Sequence, residues 1–231
     1  MAGNEALLYL HPMPSPPFFT VIVCTFNRDQ LLRRALDSVE AQTFRDFETV
    51  VVDGGTSPDT RSVAESHPAK PRYFRIPDTG IGGSRDFGLH QARGTYSAFL
   101  DDDDEFKPEH LHTRFETLRA FPDLDLLYNG FQTIGSEYVP DLLNHGQFLH
   151  VEDPQIFHAG TSVVNTLKAI AAGGFSTDHH QHYPDNFLET ARAHGLKSAS
   201  VPERTYVYHR LDSSYTGQLS KAYRKSEPSA G

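Results

Sequence analysis

Apolar positions along this chain fall into short unbroken runs that alternate with stripes of helical spacing. Residues 18–24 contain Phe18, Phe19, Val21, Ile22, Val23 and Cys24, a run whose β-rich content predicts a buried strand. Leu31, Leu32, Ala35, Leu36 and Val39 then recur at three- and four-residue spacing, the stripe of an amphipathic helix, with Asn27 or Asp29 as its candidate cap. A second strand is expected over 47–52, ending at Asp53-Gly54-Gly55, and a third over 72–76. A glycine-rich turn, Gly80-Ile81-Gly82-Gly83-Ser84, leads into a short helix over 85–92. A fourth strand comes next over 96–100, then a helix over 108–121 opened by Pro108. Strand–helix–strand order with short connections predicts an α/β fold whose mostly parallel sheet is built from right-handed crossovers.

The second half is less regular. Strands are expected over 124–134, 157–164 and 205–209, and helices over 166–172 and 185–194. Residues 1–17 form a proline-rich leader, and residues 217–231 a polar, frayed tail. Between them, 18–216 reads as a single domain in two halves, 18–108 and 109–216. No internal repeat is visible.

The fourth strand stops at five consecutive acids, Asp101-Asp102-Asp103-Asp104-Glu105. Such a run is often a solvated tail or helix face. Adjacent carboxylates repel, so a folded chain keeps them together only where water or a cation compensates. Their position at a strand's C-terminal end is where open α/β sheets place ligands. Asp-x-Asp there suits Mg²⁺ or Mn²⁺ carrying a diphosphate. Thr25-Phe26-Asn27-Arg28 and Asp53-Gly54-Gly55-Thr56 end two other strands and should converge on the same sheet edge. Phe26 is placed to stack on a nucleobase and Asp53 to accept a base N–H. The Gly82-Gly83-Ser84 helix start and Arg85 are placed to face polar or anionic parts of the same ligand. The plain alternatives are a core Phe26 and a helix-face ion pair for Arg85.

Composition narrows the partners. A net charge of −9 over 231 residues argues against a nucleic-acid binder that works by neutralising phosphates. The single cysteine, Cys24, cannot form an internal disulfide, which agrees with a reducing compartment. No apolar run reaches the ~20 residues that span a bilayer, and residues 1–10 lack the pattern of a secretory leader. A cytoplasmic location is therefore expected. Weak peripheral contact with the inner membrane face, through Lys221, Arg224 and Lys225, is the lesser alternative.

Rival motifs fail. The Gly80–Arg85 segment ends in arginine and comes after the third strand, so it is no dinucleotide fingerprint. An EF-hand beginning at Asp101 needs glycine and glutamate where Phe106 and His112 stand. Glu105 breaks the pattern of a haloacid-dehalogenase-like phosphatase, and neither a P-loop lysine nor a G-x-S-x-G elbow occurs.

Four segments in order, Thr20–Arg28, Asp37–Gln42, Phe47–Thr56 and Ala92–Asp104, resemble family 2 glycosyltransferases with the GT-A fold. The resemblance is close over 18–108 and looser to about residue 216. It implies a nucleoside-diphosphate sugar donor, with UDP-sugars favoured and GDP or dTDP alternatives, and a glycan or lipid-linked acceptor. By this resemblance Thr25 and Phe26 line the base pocket, with Asn27 and Arg28 beside them, and Asp53 contacts base or ribose. Asp103 overlays the direct ligand of Mn²⁺ or Mg²⁺. Asp101 is the ribose or water-mediated ligand, Asp102 assists, and Asp104 and Glu105 stand behind them or face solvent. The family has Ala-Arg-Asn where this chain has Ser84-Arg85-Asp86, so Arg85 is retained and Asp86 replaces an amide. Direct displacement with inversion needs a carboxylate base. After Gly173-Gly174-Phe175, Asp185 matches the family's aspartate, with Pro184 in place of glutamate. Asp185 as a mere helix cap is the alternative. His179, His180 and His182 define no zinc site on a loop and read as acceptor-loop or surface residues. His209, in Tyr208–Ser213, corresponds to a late histidine that completes the metal shell, touches the diphosphate or is structural. The competing functions are a catalytically silent sugar-nucleotide or glycan-binding module and a sugar-1-phosphate nucleotidyltransferase. The latter lacks its Gly-rich, Arg- and Lys-bearing signature here.

Overall fold

A computed structural model describes residues 15–135, 138–140, 148–150, 157–175 and 187–210. The elements are β1 (Phe19–Thr25), α1 (Asp29–Glu40), β2 (Phe47–Asp53), α2 (Thr60–Glu65), β3 (Arg72–Arg75), α3 (Gly80–Gln91), β4 (Tyr96–Asp101) and β5 (Glu105–Phe106). They continue as α4 (His110–Ala120), β6 (Leu126–Tyr128), β7 (Phe131–Gly135), β8 (Tyr138–Pro140), β9 (Phe148–His150) and β10 (Val163–Asn165). Last come α5 (Thr166–Ala171), α6 (Phe187–Ala193), β11 (Ser198–Ser200) and β12 (Tyr206–Arg210).

The central sheet has seven strands in the order β11-β6-β10-β4-β1-β2-β3. Only β10 runs against the rest, pairing antiparallel with both β4 and β6. The strands are apolar on both faces because both faces are covered. Phe19, Val21 and Val23 of β1 join Leu32, Ala35, Leu36 and Val39 of α1 in one core layer. Ile22 and Cys24 point the other way and pack with Leu89 of α3, Ala169 of α5 and Phe187 of α6. The alternation is that of a pleated strand, and the product is a three-layer α/β/α arrangement. Two smaller sheets, β5-β12-β7 and the hairpin β8-β9, complete the pairing.

Several expectations need correction. Segment 80–84 is the first turn of α3 itself, not a turn before it. Gly80 opens it at φ +67°, and two later glycines of α3 serve packing. A Cβ on Gly88 would lie 2.4 Å from Ile22 Cγ2, and one on Gly83 would lie 2.6 Å from Thr79. The strand expected over 124–134 is broken into β6 and β7 by Asn129 and Gly130, both at positive φ. Neither Asn27 nor Asp29 caps α1. The Asn27 side chain accepts the N–H groups of Thr56 and Ser57, and Asp29 accepts the hydroxyls of Ser57 and Thr60. Both residues therefore fasten the loop after β1 to the loop after β2.

Helix α1 also anchors the segment on the far side of the acids. Ser38 Oγ accepts the Phe106 N–H at 3.0 Å, and the buried Gln42 amide donates to the Lys107 carbonyl while accepting the Leu111 N–H. The acid run is thereby clamped between β4 and the start of α4.

Candidate functional site at the β1–β4 switch point

From β1 the chain moves outward through β2 to β3, then crosses back to place β4 on the other side of β1. The carboxyl ends of β1 and β4 therefore flank a topological switch point, where open α/β sheets bind ligands. Parallel register aligns Thr25 with Asp53, and Cys24 with Asp101, so all three candidate loops leave the sheet at one edge. Phe26 and Ile81 stand out at this edge as large apolar side chains left 48% and 43% exposed. Gly54 lies between the ring of Phe26 and the hydroxyl of Ser84, a Cβ there reaching 3.7 Å from each. Phe26 is thus no core residue.

Asp53 sits deeper than a ligand contact requires. It has no exposed surface, and both of its oxygens are occupied. Oδ1 accepts the Gly55 N–H at 2.8 Å, while Oδ2 accepts the Tyr73 hydroxyl and the Arg75 guanidinium, the latter at 2.6 Å. Register places Arg75 opposite Asp53 on β3. A ligand that reaches the Asp53 carboxylate must first displace Arg75, whose side chain is partly exposed.

The acids are individually engaged. Asp101 pairs with Arg85 at 2.8 and 2.9 Å, and its N–H donates to the Tyr206 hydroxyl at 3.4 Å. Asp102 accepts the Thr25 hydroxyl at 2.7 Å, the Phe26 N–H at 3.4 Å and Arg28 Nη1 at 3.1 Å. The Thr25 hydroxyl is therefore committed to Asp102. Asp103 accepts the same Arg28 Nη1 at 3.0 Å, and Arg34 binds its carbonyl. Asp104 is buried, not solvent-facing. It accepts the Tyr206 hydroxyl at 2.6 Å and the His209 N–H at 2.8 Å. Glu105 lies half-buried, 2.6 Å from His209 Nε2. The imidazole expected near the metal is thus held by a neighbouring carboxylate.

Burial dominates the electrostatics. It pushes Asp102 from 3.8 up to about 6, with Arg28 opposing the rise and Asp103 and Asp101 adding to it. Asp103 is raised by burial and by the charge of Asp101, and Asp104 well raised by burial, Asp103 and Asp101. Three guanidinium groups, Arg28, Arg34 and Arg85, face five carboxyl groups. The carboxyl groups outnumber these guanidinium groups by two. That surplus and the all-oxygen donor set of Asp101 and Asp103 fit a hard divalent cation. Among the described residues no three His, Cys, Asp or Glu side chains close into a metal cage. The donor set therefore suits an ion that completes its shell with water and ligand phosphates.

Arg34, Tyr73, Arg75 and Tyr206 were not singled out in the sequence, since only strand register and helix packing bring them here. Gly160, in the 3₁₀ turn Ala159–Thr161, is another. A Cβ there would lie 2.8 Å from Asp101 Oδ2 and 3.0 Å from the Tyr206 hydroxyl. Asp86 accepts the Phe175 N–H at 3.2 Å, and a Cβ on Gly174 would collide with its Oδ1. Asp185, His179, His180 and His182 lie outside the described residues.

The sequence profile described as "Glycosyl transferase family 2" matches residues 20–152. The chain belongs to this family. A Campylobacter jejuni GalNAc(5)-diNAcBac-PP-undecaprenol beta-1,3-glucosyltransferase is 42% identical over 94 residues, 38% of this chain and 30% of that protein. An uncharacterized glycosyltransferase of Rickettsia felis is 31% identical over 121 residues, 51% of this chain and 20% of that protein. The chain thus matches only 20 to 30% of the length of these curated relatives. Among solved structures, S. aureus TarS in complex with UDP-GlcNAc superposes with a TM-score of 0.71 at 20% identity, covering 86% of this chain and 60% of that one. The Pyrobaculum calidifontis mannosyltransferase PcManGT, in complex with GDP-Man and Mn²⁺, superposes at 0.64 and 20% identity, covering 90% and 61%. At these identities the structural likeness establishes the GT-A fold.

Proposed function

We propose that this chain transfers a sugar from a nucleoside-diphosphate sugar to an acceptor hydroxyl with inversion at the anomeric carbon. The observation that carries the assignment is the convergence of Phe26, Asp53 and the acid run at the switch point between β1 and β4. The nucleobase lies against Phe26, and Asp53 receives it once Arg75 moves aside. Asp103 and Asp101 would hold Mn²⁺ or Mg²⁺, which supplies positive charge for the departing diphosphate. His209 joins that shell only if its bond to Glu105 opens. Asp185 takes the acceptor's proton as the acceptor oxygen bonds to the anomeric carbon, and the C–O bond to phosphate breaks with its electron pair on the diphosphate.

UDP-sugars are the first donors to try, with GDP- and dTDP-sugars next, and a glycan or lipid-linked hydroxyl is the acceptor. TarS with UDP-GlcNAc and PcManGT with GDP-Man support the donor class. No described helix is long and apolar enough to cross a membrane. Asp86 in place of the family's amide does not argue for a silent binding module, because accepting the Phe175 N–H is a task that either a carboxylate or an amide oxygen performs. Hydrolysis of UDP-sugars by the purified chain, with and without Mn²⁺, tests the assignment. Activity should vanish in Asp103→Ala and fall strongly in Asp185→Ala. Full activity in Asp185→Ala would remove that residue as the base.

A further inference from the structure

Arg28 occupies the acid run in a way that a nucleotide-binding arginine need not. One nitrogen, Nη1, bridges Asp102 Oδ1 at 3.1 Å and Asp103 Oδ2 at 3.0 Å. A single positive atom between two carboxylates is what a bound cation would be. Asp102 has other donors in Thr25 and Phe26. Asp103 has besides only its own backbone N–H, and among the described residues Arg28 is the only side chain that donates to its carboxylate. The Arg28 side chain is 31% exposed, against 5% for Asp102 and 13% for Asp103, so the guanidinium can withdraw toward solvent while the acids stay. Its backbone is fixed meanwhile, because the neighbouring Asn27 holds Thr56 and Ser57 through its side chain at φ +56°.

We infer that Arg28 is the resident counter-ion of the metal site, neutralising Asp103 in the empty protein and surrendering it when a metal–nucleotide pair enters. The inference rests on the function proposed above and adds a specific competition to it. A divalent ion on Asp103 repels the guanidinium, and the incoming diphosphate offers it a new anionic partner. Metal alone must expel Arg28 with no compensation, whereas metal with diphosphate need not. The two ligands therefore bind with positive, reciprocal coupling.

The test uses two titrations. Mn²⁺ alone is titrated into wild type, Arg28→Met, Arg28→Gln and Asp103→Ala, following the electron-spin-resonance signal of free Mn²⁺. UDP, or GDP if wild type prefers it, is then titrated at saturating Mn²⁺ by calorimetry. The glutamine variant keeps a donor for Asp102 should methionine destabilise the loop. Removing Arg28 should tighten Mn²⁺ by up to about fivefold, the worth of one partly exposed charge pair. The same change should weaken the nucleotide by roughly tenfold, since a charged contact to phosphate is lost. A residue that merely shapes the loop would weaken both ligands together. Weaker or unchanged Mn²⁺ binding in both Arg28 variants, with Asp103→Ala still abolishing it, overturns the counter-ion role alone. Mn²⁺ binding that is absent from wild type and from both Arg28 variants, or that survives Asp103→Ala, overturns the proposed metal site and this inference with it.

Discussion

Replacing Tyr206 by phenylalanine removes one oxygen atom from the centre of the acid network and leaves the ring. The ring keeps its edge contacts with Phe106 and His110, at centroid distances of 5.7 and 6.2 Å, so no cavity larger than a hydroxyl opens. The 2.6 Å bond to Asp104 Oδ2 is lost, after which that buried carboxyl keeps only the His209 N–H. A buried bond to an ionised acceptor contributes about 1.5–3 kcal/mol, and one between neutral groups about 1 kcal/mol. For a chain of this size a loss near 2 kcal/mol lowers Tm by about 4–8 °C. Burial and the charges of Asp103 and Asp101 hold the Asp104 carboxyl well above its ordinary range. The cost should therefore grow as pH rises and Asp104 ionises. Urea unfolding of Tyr206→Phe, Asp104→Ala and the double variant across pH isolates the pair. Coupling within a few tenths of a kcal/mol of zero at every pH would refute a stabilising bond between Tyr206 and Asp104.

Phe26→Ala should leave stability within about 0.5 kcal/mol, as for most exposed positions, while nucleotide affinity falls by about 1–3 kcal/mol through lost base stacking. Unchanged affinity by calorimetry would dismiss Phe26 as the base platform. Asp102 gives a pH signature. Its folded-state pKa of about 6 lies above the ordinary 3.8, so the metal-free folded chain binds the extra proton between those values. The stability this confers is fully present below about pH 4 and is lost as pH rises through about 6. Asp102→Asn should flatten that slope in urea midpoints measured from pH 4 to 7, and an unaltered slope would assign it to other groups.

Legibility in the sequence tracked the range of the physical cause. β1, β2 and β4 were readable because strands buried on both faces need continuous apolar runs. α2 was not, since only Thr60 and Ala64 of its six residues are buried and no stripe forms. The glycines at 80–84 looked like a turn, and Gly80 does take a positive φ, but the segment is helical within an α3 that packs on the sheet, with Gly88 close to Ile22. The break between β6 and β7 was announced by Asn129-Gly130, a turn dipeptide inside an apolar run. β5 escaped notice because its Glu105 belongs to the acid run. At the site, strand-end loops and their acids could be placed by counting elements. The partners of those acids could not, because Arg75 meets Asp53 through the β2–β3 register and Tyr206 meets Asp104 across 102 residues.

Calorimetric titration of UDP into the chain, with and without Mn²⁺, and into Asp103→Ala reads the site through its metal and its nucleotide at once. A metal-assisted nucleotide-diphosphate site anchored on Asp103 predicts tight binding only with Mn²⁺ and its loss in the variant. Binding that ignores the metal, or that survives in Asp103→Ala, would contradict it.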